Sequence, residues 1–562
     1  TVLGESALDA SVSGGNNTAV GNSSLTTLTS GTDNTAIGHD ALELLTTGSG
    51  NVAVGSNALA ATTTASNNAA FGRDALVTNT TGYNNVALGN YSLRFNTEGF
   101  ENVAVGYNTL EDNTTGDYNI GVGRSALANN TTANHNIAIG YKAGEDITTG
   151  QQNTIVGSQA LQEGTTAAQN VSIGAFSLDA LTTGSFNVAV GNQALTAATT
   201  SSNNTAVGYI ALGVNTTGDT NTAVGSDSLK TVTTGSSNTA VGYQALEDNT
   251  ASDNTAVGKA AFRENTSGTQ GVAVGLFALK LNTTGNYNTA VGSQALEANT
   301  TASNNTAVGY QALTLNTTGA SNTAVGSEAM DACTTGHSSV CIGSESGGAI
   351  TTGVNNTAVG HQALDATTVS SFNVAVGSGA LGANTESAQT AVGHNALHNV
   401  TTGHSNTAIG TDAGNSLTTG SNNVILGRSA QASSNSVNGE VILGSSSIST
   451  LRCNTQTISA LSDARDKTNV IDLPQGLDFI TKLRPVKFKW ASRDGNVKDG
   501  SYEHGFIAQD LQTAQKENDA DYLNMVLNEN PDRLEASYGK LVPILTKAIQ
   551  ELSAKVTALE AG

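Results

Sequence analysis

A glycine returns every 17 residues, at Gly4, Gly21, Gly38, Gly55, Gly72 and onward to Gly444. The series holds 27 glycines, and 24 of its 26 intervals are 17; the other two, Gly242 to Gly258 and Gly377 to Gly393, are 16. A period held this strictly excludes an ordinary globular core and predicts one structural turn copied along an axis.

The residues around each glycine describe that turn. The residue before it is apolar in all 27 copies, as at Val20, Ile37, Phe71 and Leu443. Two before it sits a small residue, most often Ala, as at Ala19, Ala53 and Ala240. Four before it is Asn in 22 of the 26 copies after Gly4. Asn-Thr-Ala-Val-Gly reads as a short strand with Val on one face and Ala or Gly on the other. Four after the glycine is Leu in 20 of the first 25 copies, commonly preceded by Ala. The Ala-Leu segment suits either a second strand or one brief helical turn. A turn such as Asn79 to Gly82 then closes the unit, Gly supplying positive φ and Asn and Thr bonding the local backbone.

Stacking such turns predicts an all-β repeat solenoid, a parallel β-roll or β-helix of about 26 turns, with Val and Leu ladders inside. At about 4.8 Å per stacked strand it would be about 125 Å long. The two 16-residue turns are expected to lose a residue from the outer turn and to leave the inner strand unchanged.

Composition marks where the repeat ends. All four prolines and Trp490 lie after residue 461, as do 13 of the 23 Lys and Arg, while the first 461 residues hold 57 of the 63 glycines. This predicts a β-solenoid shaft over 1–450, a linker over 451–461 and a second domain over 462–562. The net charge of −22 argues against nucleic acid and anionic membrane surfaces. No apolar run has the length of a membrane span, so no membrane insertion is expected. Cys333, Cys341 and Cys453 share no metal spacing and read as free structural thiols. No metal or other cofactor is expected. Asn-Thr-Thr triplets recur because the turn recurs, not as glycosylation sites. No regular Thr-x-Thr face suggests ice binding, and the acidic residues change position from copy to copy, unlike calcium ligands.

The last 101 residues carry a different set of motifs. Ser462-Asp463-Ala464-Arg465-Asp466-Lys467 opens the segment. Gly476-Leu477-Asp478, Leu483-Arg484-Pro485-Val486, His504-Gly505-Phe506-Ile507-Ala508-Gln509-Asp510, Tyr538-Gly539-Lys540-Leu541 and Ala548-Ile549-Gln550-Glu551-Leu552 follow in order. This series resembles the endosialidase-type intramolecular chaperone domain that closes phage tail fibres and spikes, with Asp510 in place of the commoner Glu. The resemblance implies a small α+β domain, a homotrimer folded by that domain, and self-cleavage. It makes Ser462 the nucleophile, Lys467 the general base, Leu461–Ser462 the cut bond, and His504 a residue that orients the site. A serine hydroxyl needs a base to take its proton, and lysine is a base only when neutral, so burial must favour that form. Independently, Val542, Leu545, Ile549, Leu552, Val556 and Leu559 follow a 3, 4, 3, 4, 3 spacing. That is a heptad seam suited to assembling parallel helices, or one amphipathic helix face packed on its own domain.

The expected function is the distal shaft of a trimeric phage tail fibre, made in the host cytoplasm and carried on the virion. It would bind a host surface receptor, a glycan or an outer-surface protein. A chain that starts mid-repeat without Met also suggests an N-terminal region that joins other tail proteins. Two alternatives stay open: a fibre with glycan-degrading activity, and a bacterial trimeric surface adhesin, because the Asn-Thr-Ala-Val-Gly turns resemble the repeat heads of trimeric autotransporters. The repeats offer no aromatic-rich insertion or long loop on which to build a hydrolytic carboxylate pair.

Overall fold

The computed structural model describes residues 1–448, 450–452, 462, 464–490, 502–527 and 534–562. They fall into two compact units, Thr1–Val354 and Asn355–Gly562.

The first unit is a parallel β-solenoid. Its strands run from Val2–Leu3 to Val340–Ile342, and each pairs with the strand one turn on. The register is one repeat throughout: Thr18 opposes Thr35, Ala19 opposes Ala36, and Val20 opposes Ile37. The second unit opens with the same stack, from Thr357–Val359 to Val441–Leu443.

The glycine period has a direct cause. Gly309 has φ +139°, a conformation open in practice only to glycine, and a Cβ there would stand 2.2 Å from the carbonyl oxygen of Gly326. Backbone packs on backbone at this corner in turn after turn, so any side chain would pry the stack apart.

The segment after the glycine is neither strand nor helix. It is a run of tight turns in which the second and fourth residues are left-handed, as at Asn57 (φ 62°) and Leu59 (φ 55°). The leucine N–H still bonds across to the next turn, Leu59 to the Ala75 carbonyl at 3.0 Å. Holding leucine left-handed costs roughly 1–2 kcal/mol, and burying its side chain returns roughly 1.5–3 kcal/mol. The side chains of Leu25, Leu42, Leu59 and their successors are fully buried.

Three turns avoid that cost with glycine, at Gly144, Gly347 and Gly414 (φ 60°, 61° and 64°). The lost volume is replaced from elsewhere in the cross-section. A Cβ on Gly144 would meet Ile155 and Ile147, and one on Gly414 would meet Leu397 and Ile425. Ile155 and Ile425 stand where other strands have Ala. A similar exchange seats Phe262 in place of Leu: Gly271 replaces Asn, and its missing side chain leaves room for the phenyl ring.

The inward face of the strand is the reverse of the sequence expectation. Ala19, Ala36 and Ala53 are fully buried, whereas the apolar residue before each glycine points outward, with Ile37 41% and Leu88 48% exposed. Leu ladders are inside and Val ladders are not. A 17-residue turn encloses a narrow core, and once leucine fills it from the opposite wall only a methyl group fits on the strand. The strand alternation was right; its orientation follows from that volume limit.

Asparagine closes the polar account of the core. The N–H of Asn51 donates to Asn34 Oδ1 at 3.0 Å, and Asn51 Nδ2 donates to the Ala65 carbonyl at 2.9 Å. Such an amide bonds the turn on either side, which removes the penalty for burying it; Asn130 Oδ1 and Asn373 Nδ2 are buried exceptions that find no partner among the described residues. A second ladder runs through Asn79, Asn96, Asn113 and Asn130, where Asn96 Nδ2 donates to Asn79 Oδ1 at 2.8 Å. In other turns apolar residues such as Leu28, Leu45 and Val232 fill that position. Cys333 is one of them. Cys333 and Cys341 are free and buried, and burial pushes their thiols up to about 11 and about 12. Cys453 lies outside the described residues.

The 16-residue turns behave as expected. Thr239–Val241 pairs in register with Thr255–Val257, and Val374–Val376 with Thr390–Val392. The missing residue comes from the Thr-Thr turn: Asn249 Nδ2 reaches the carbonyl two residues on, at Ala251, where Asn265 reaches three residues on, to Gly268.

Packing at these positions sets their sensitivity. Leu313→Ala should cost about 2–5 kcal/mol, and Leu315→Ala, at a 53% exposed position, less than about 0.5 kcal/mol. Gly309→Ala should open the stack locally. Hydrogen exchange should accelerate across 306–325 for Gly309→Ala and Leu313→Ala and stay unchanged for Leu315→Ala.

Candidate functional site

The C-terminal residues build a small α+β domain around a short core. Helices α1 (Leu477–Ile480), α2 (Ala508–Glu517) and α3 (Leu541–Ala561) accompany two antiparallel pairs, Val486–Phe488 with Glu503–Gly505 and Val526–Leu527 with Glu535–Ala536. Phe479, Leu511, Ala520, Leu523, Met525, Leu541 and Ile544 form the core, with Leu473, Ile480 and Phe506 packed against it.

The motif residues turn out to contact one another. Glu551 on α3 accepts the N–H of Leu477 at 2.8 Å, which caps α1 and ties it to α3. A Cβ on Gly476 would stand 2.4 Å from the Glu551 carboxylate, so a side chain there would have to displace that flexible group and the cap with it. Arg484 donates two hydrogen bonds to Asp510 Oδ2, at 3.2 and 3.0 Å. The Phe506 N–H donates to Tyr538 Oη at 3.1 Å, and the two rings meet edge to face. Buried Gln515 accepts the Met525 N–H at 3.2 Å. Sequence motifs marked most of these residues but gave no sign of which paired with which.

The candidate chemical residues lie at the start of the domain. Lys467 Nζ donates to Ser462 Oγ at 2.5 Å, across a single helical turn at Ala464–Asp466. Both residues are exposed in this single chain. His504 stands apart from them, exposed on a strand opposite Lys487, and among the described residues it hydrogen-bonds to neither. Leu461 lies outside the described residues. Among the described residues, no cluster of His, Cys, Asp or Glu could hold a metal ion.

Helix α3 presents two separate faces. Leu541, Ile544 and Ala548 are buried in the domain's own core. The heptad residues Val542, Leu545, Ile549, Leu552, Val556 and Leu559 are all exposed, from 43% at Leu545 to 81% at Leu559. The seam is therefore not the face that packs on its own domain.

A parallel β-solenoid followed by a small α+β domain that ends in a long helix defines the class of protein. Residues 462–519 match the sequence model of the family described as the chaperone of endosialidase. Together the two features fit a phage tail fibre with a C-terminal chaperone. Comparison with curated proteins found no match, and comparison with solved structures found none. No helix among the described residues is long and apolar enough to cross a membrane.

Trp490 is the chain's single tryptophan and lies in this domain, so its fluorescence reports the domain alone. Glu551→Ala, which removes the acceptor of the Leu477 N–H, should lower the domain's stability by about 1 kcal/mol. Glu551→Gln, which keeps an acceptor oxygen, should lower it less. Denaturant midpoints read from Trp490 check both.

Proposed function

We propose that the chain is the distal shaft of a homotrimeric phage tail fibre that binds a host cell surface. The shaft spans 1–450, and residues 462–562 fold the trimer and then release themselves by cutting Leu461–Ser462. The observation that carries this reading is the family match over 462–519 with Ser462 and Lys467 in contact at its first residue.

Two exposed apolar surfaces support the trimer. One is the outward ladder before each glycine, a contiguous stripe of the kind that marks an interface. The other is the heptad seam of α3, spaced to pair with copies of itself. Parallel pairing of non-local, near-identical turns is slow and prone to slip, so neighbouring chains need an external device to align them. A coiled coil at one end sets the three chains level before the stripes close.

The cut then follows as local chemistry. In the single chain Lys467 Nζ already lies within hydrogen-bond distance of Ser462 Oγ. Burial between chains favours the neutral amine, its proton passing to water, and that amine takes the Ser462 hydroxyl proton. Oγ bonds to the Leu461 carbonyl carbon, the C–N bond breaks, and the Ser462 nitrogen takes the proton back from Lys467. Water then cleaves the resulting ester, leaving a Leu461 carboxylate and a Ser462 with a free hydroxyl and α-amino group. His504 is proposed to orient this site. Cleavage thereby reports that assembly is complete, and loss of the chaperone leaves a shaft whose stability is kinetic.

Intact-mass measurement of the purified trimer tests this. The wild-type chain should release a fragment of about 11 kDa (about 110 Da per residue) that begins at Ser462, by ordinary peptide-bond hydrolysis. Ser462→Ala and Lys467→Ala should stay whole yet trimerise. A wild-type chain that remains whole in well-formed trimers removes the cleavage step, and a monomeric wild-type chain removes the fibre.

A further inference from the structure

The shaft is poor in aromatic residues and in arginine, yet one stretch departs from both. Residues 71–141 hold eight of the chain's 24 Tyr, Phe and Trp residues, and three of the six arginines before Ser462 lie between 73 and 124. The period converts this clustering in sequence into a patch in space. Arg73, Tyr107, Arg124 and Tyr141 each follow a phased glycine directly, so they share one edge of the solenoid.

Their side chains interlock with those of Tyr91 and Arg94. The Arg73 guanidinium lies 4.6 Å from the Tyr91 ring centre, and that of Arg94 lies 5.0 Å from the same ring. Tyr91 and Tyr107 meet edge to face at 5.7 Å. Arg124 sits 5.8 Å from the Tyr107 ring and 5.9 Å from the Tyr141 ring. Tyr107 and Tyr141 remain 46% and 44% exposed. Arg73 pairs with Asp74 and Arg94 with Glu111, whereas Arg124 makes no ion pair among the described residues.

We infer that this edge binds a saccharide whose rings carry carboxylate groups, an inference that rests on the host-binding reading and names its site. A sugar ring offers C–H groups that lie against an aromatic face and hydroxyls that need donors and acceptors, and tyrosine supplies both. Arg124 is held between two tyrosine rings with no acid beside it, so its planar fork is free to take a carboxylate in two hydrogen bonds. Tyr107 and Tyr141 are two turns apart, about 9.6 Å. An extended ligand along the axis therefore meets a ring, a guanidinium and a ring in succession. Tyr and Arg are also enriched in protein interfaces, and a protein partner is the outcome that survives periodate below.

Affinity electrophoresis of the full-length chain tests the site, in gels containing polygalacturonate, alginate or hyaluronan, with dextran as the neutral control. The wild-type chain should be retarded by at least one carboxylated polymer and not by dextran. The double variant Tyr107→Ala/Tyr141→Ala, and Arg124→Gln alone, should each weaken retardation at least about tenfold, one decade of Kd. Tyr310 supplies the internal control. It also follows a phased glycine and is 48% exposed, but Ser293 and Ser327 hold that position in the adjoining turns. Tyr310→Ala should change nothing. No retardation by any carboxylated polymer, or equal loss in Tyr310→Ala, overturns the proposal. So does cell adsorption that depends on the patch but survives periodate treatment of the cells, which assigns the patch to a protein partner. Cell adsorption also separates this site from the broader reading. Adsorption unaffected by the patch variants keeps receptor binding and removes this site. Polymer retardation without adsorption to any cell keeps the site and removes the host-binding reading.

Discussion

The fold depends on a close approach of backbone to backbone at one corner of every turn. At Gly309 and its counterparts the chain adopts a positive φ that only glycine tolerates in practice, and the next turn's carbonyl occupies the space a Cβ would take. Because that contact recurs at one point per turn, it fixes where each turn begins. The Asn ladders, the left-handed leucines and the three-residue strands are then brought into line with their copies. Within this frame turns differ by paired exchanges, such as Phe262 with Gly271 or Gly144 with Ile147 and Ile155. A turn can even lose a Thr, as after Asn249, provided the glycine corner and the strand keep their places.

The same geometry limits what the core can hold. A 17-residue loop encloses leucine, asparagine and alanine and little else, so valine and isoleucine are left on the outer strand face. A solenoid cross-section of this size therefore carries its largest ladder of β-branched residues on its surface. The proposed association of chains would use that ladder and would need a device that sets them level, since one turn looks much like the next. The exposed heptad seam of α3, separate from the face that holds its own domain together, is suited to that task.

Much of this was legible in the sequence because period is a strong signal. The glycine phase gave the stacked turn, the register and the site of the shortened turns. What it could not give was direction. Alternation in Thr-Ala-Val separates two faces without saying which is inside, and only the volume left beside Leu25 or Leu42 decides for Ala. The Ala-Leu segment resisted assignment because left-handed leucine has no local signature; glycine at 144, 347 and 414 in the leucine position was the available clue. In the C-terminal domain, motifs picked out Gly476, Leu477, Arg484, Phe506, Asp510, Tyr538 and Glu551 but not which pairs with which, since those contacts join residues up to 74 apart. The Ser462–Lys467 contact was within reach of spacing, being local, whereas the exposure of both in one chain was not. The Arg and Tyr band around Arg124 went unread because no motif marks it: it emerges only when residues 17 apart are compared at one phase.

In the proposed trimer the outward apolar ladder of the shaft is the surface through which three chains meet. Electron cryo-microscopy of the assembled shaft tests it most directly, by locating Ile37, Leu88, Ile139 and Ile173 relative to the fibre axis. Three parallel solenoids at one level are expected, with these residues turned toward neighbouring chains and the Arg124 edge left open to solvent. A shaft in which the ladder faces solvent, or in which each solenoid stands alone, would contradict it.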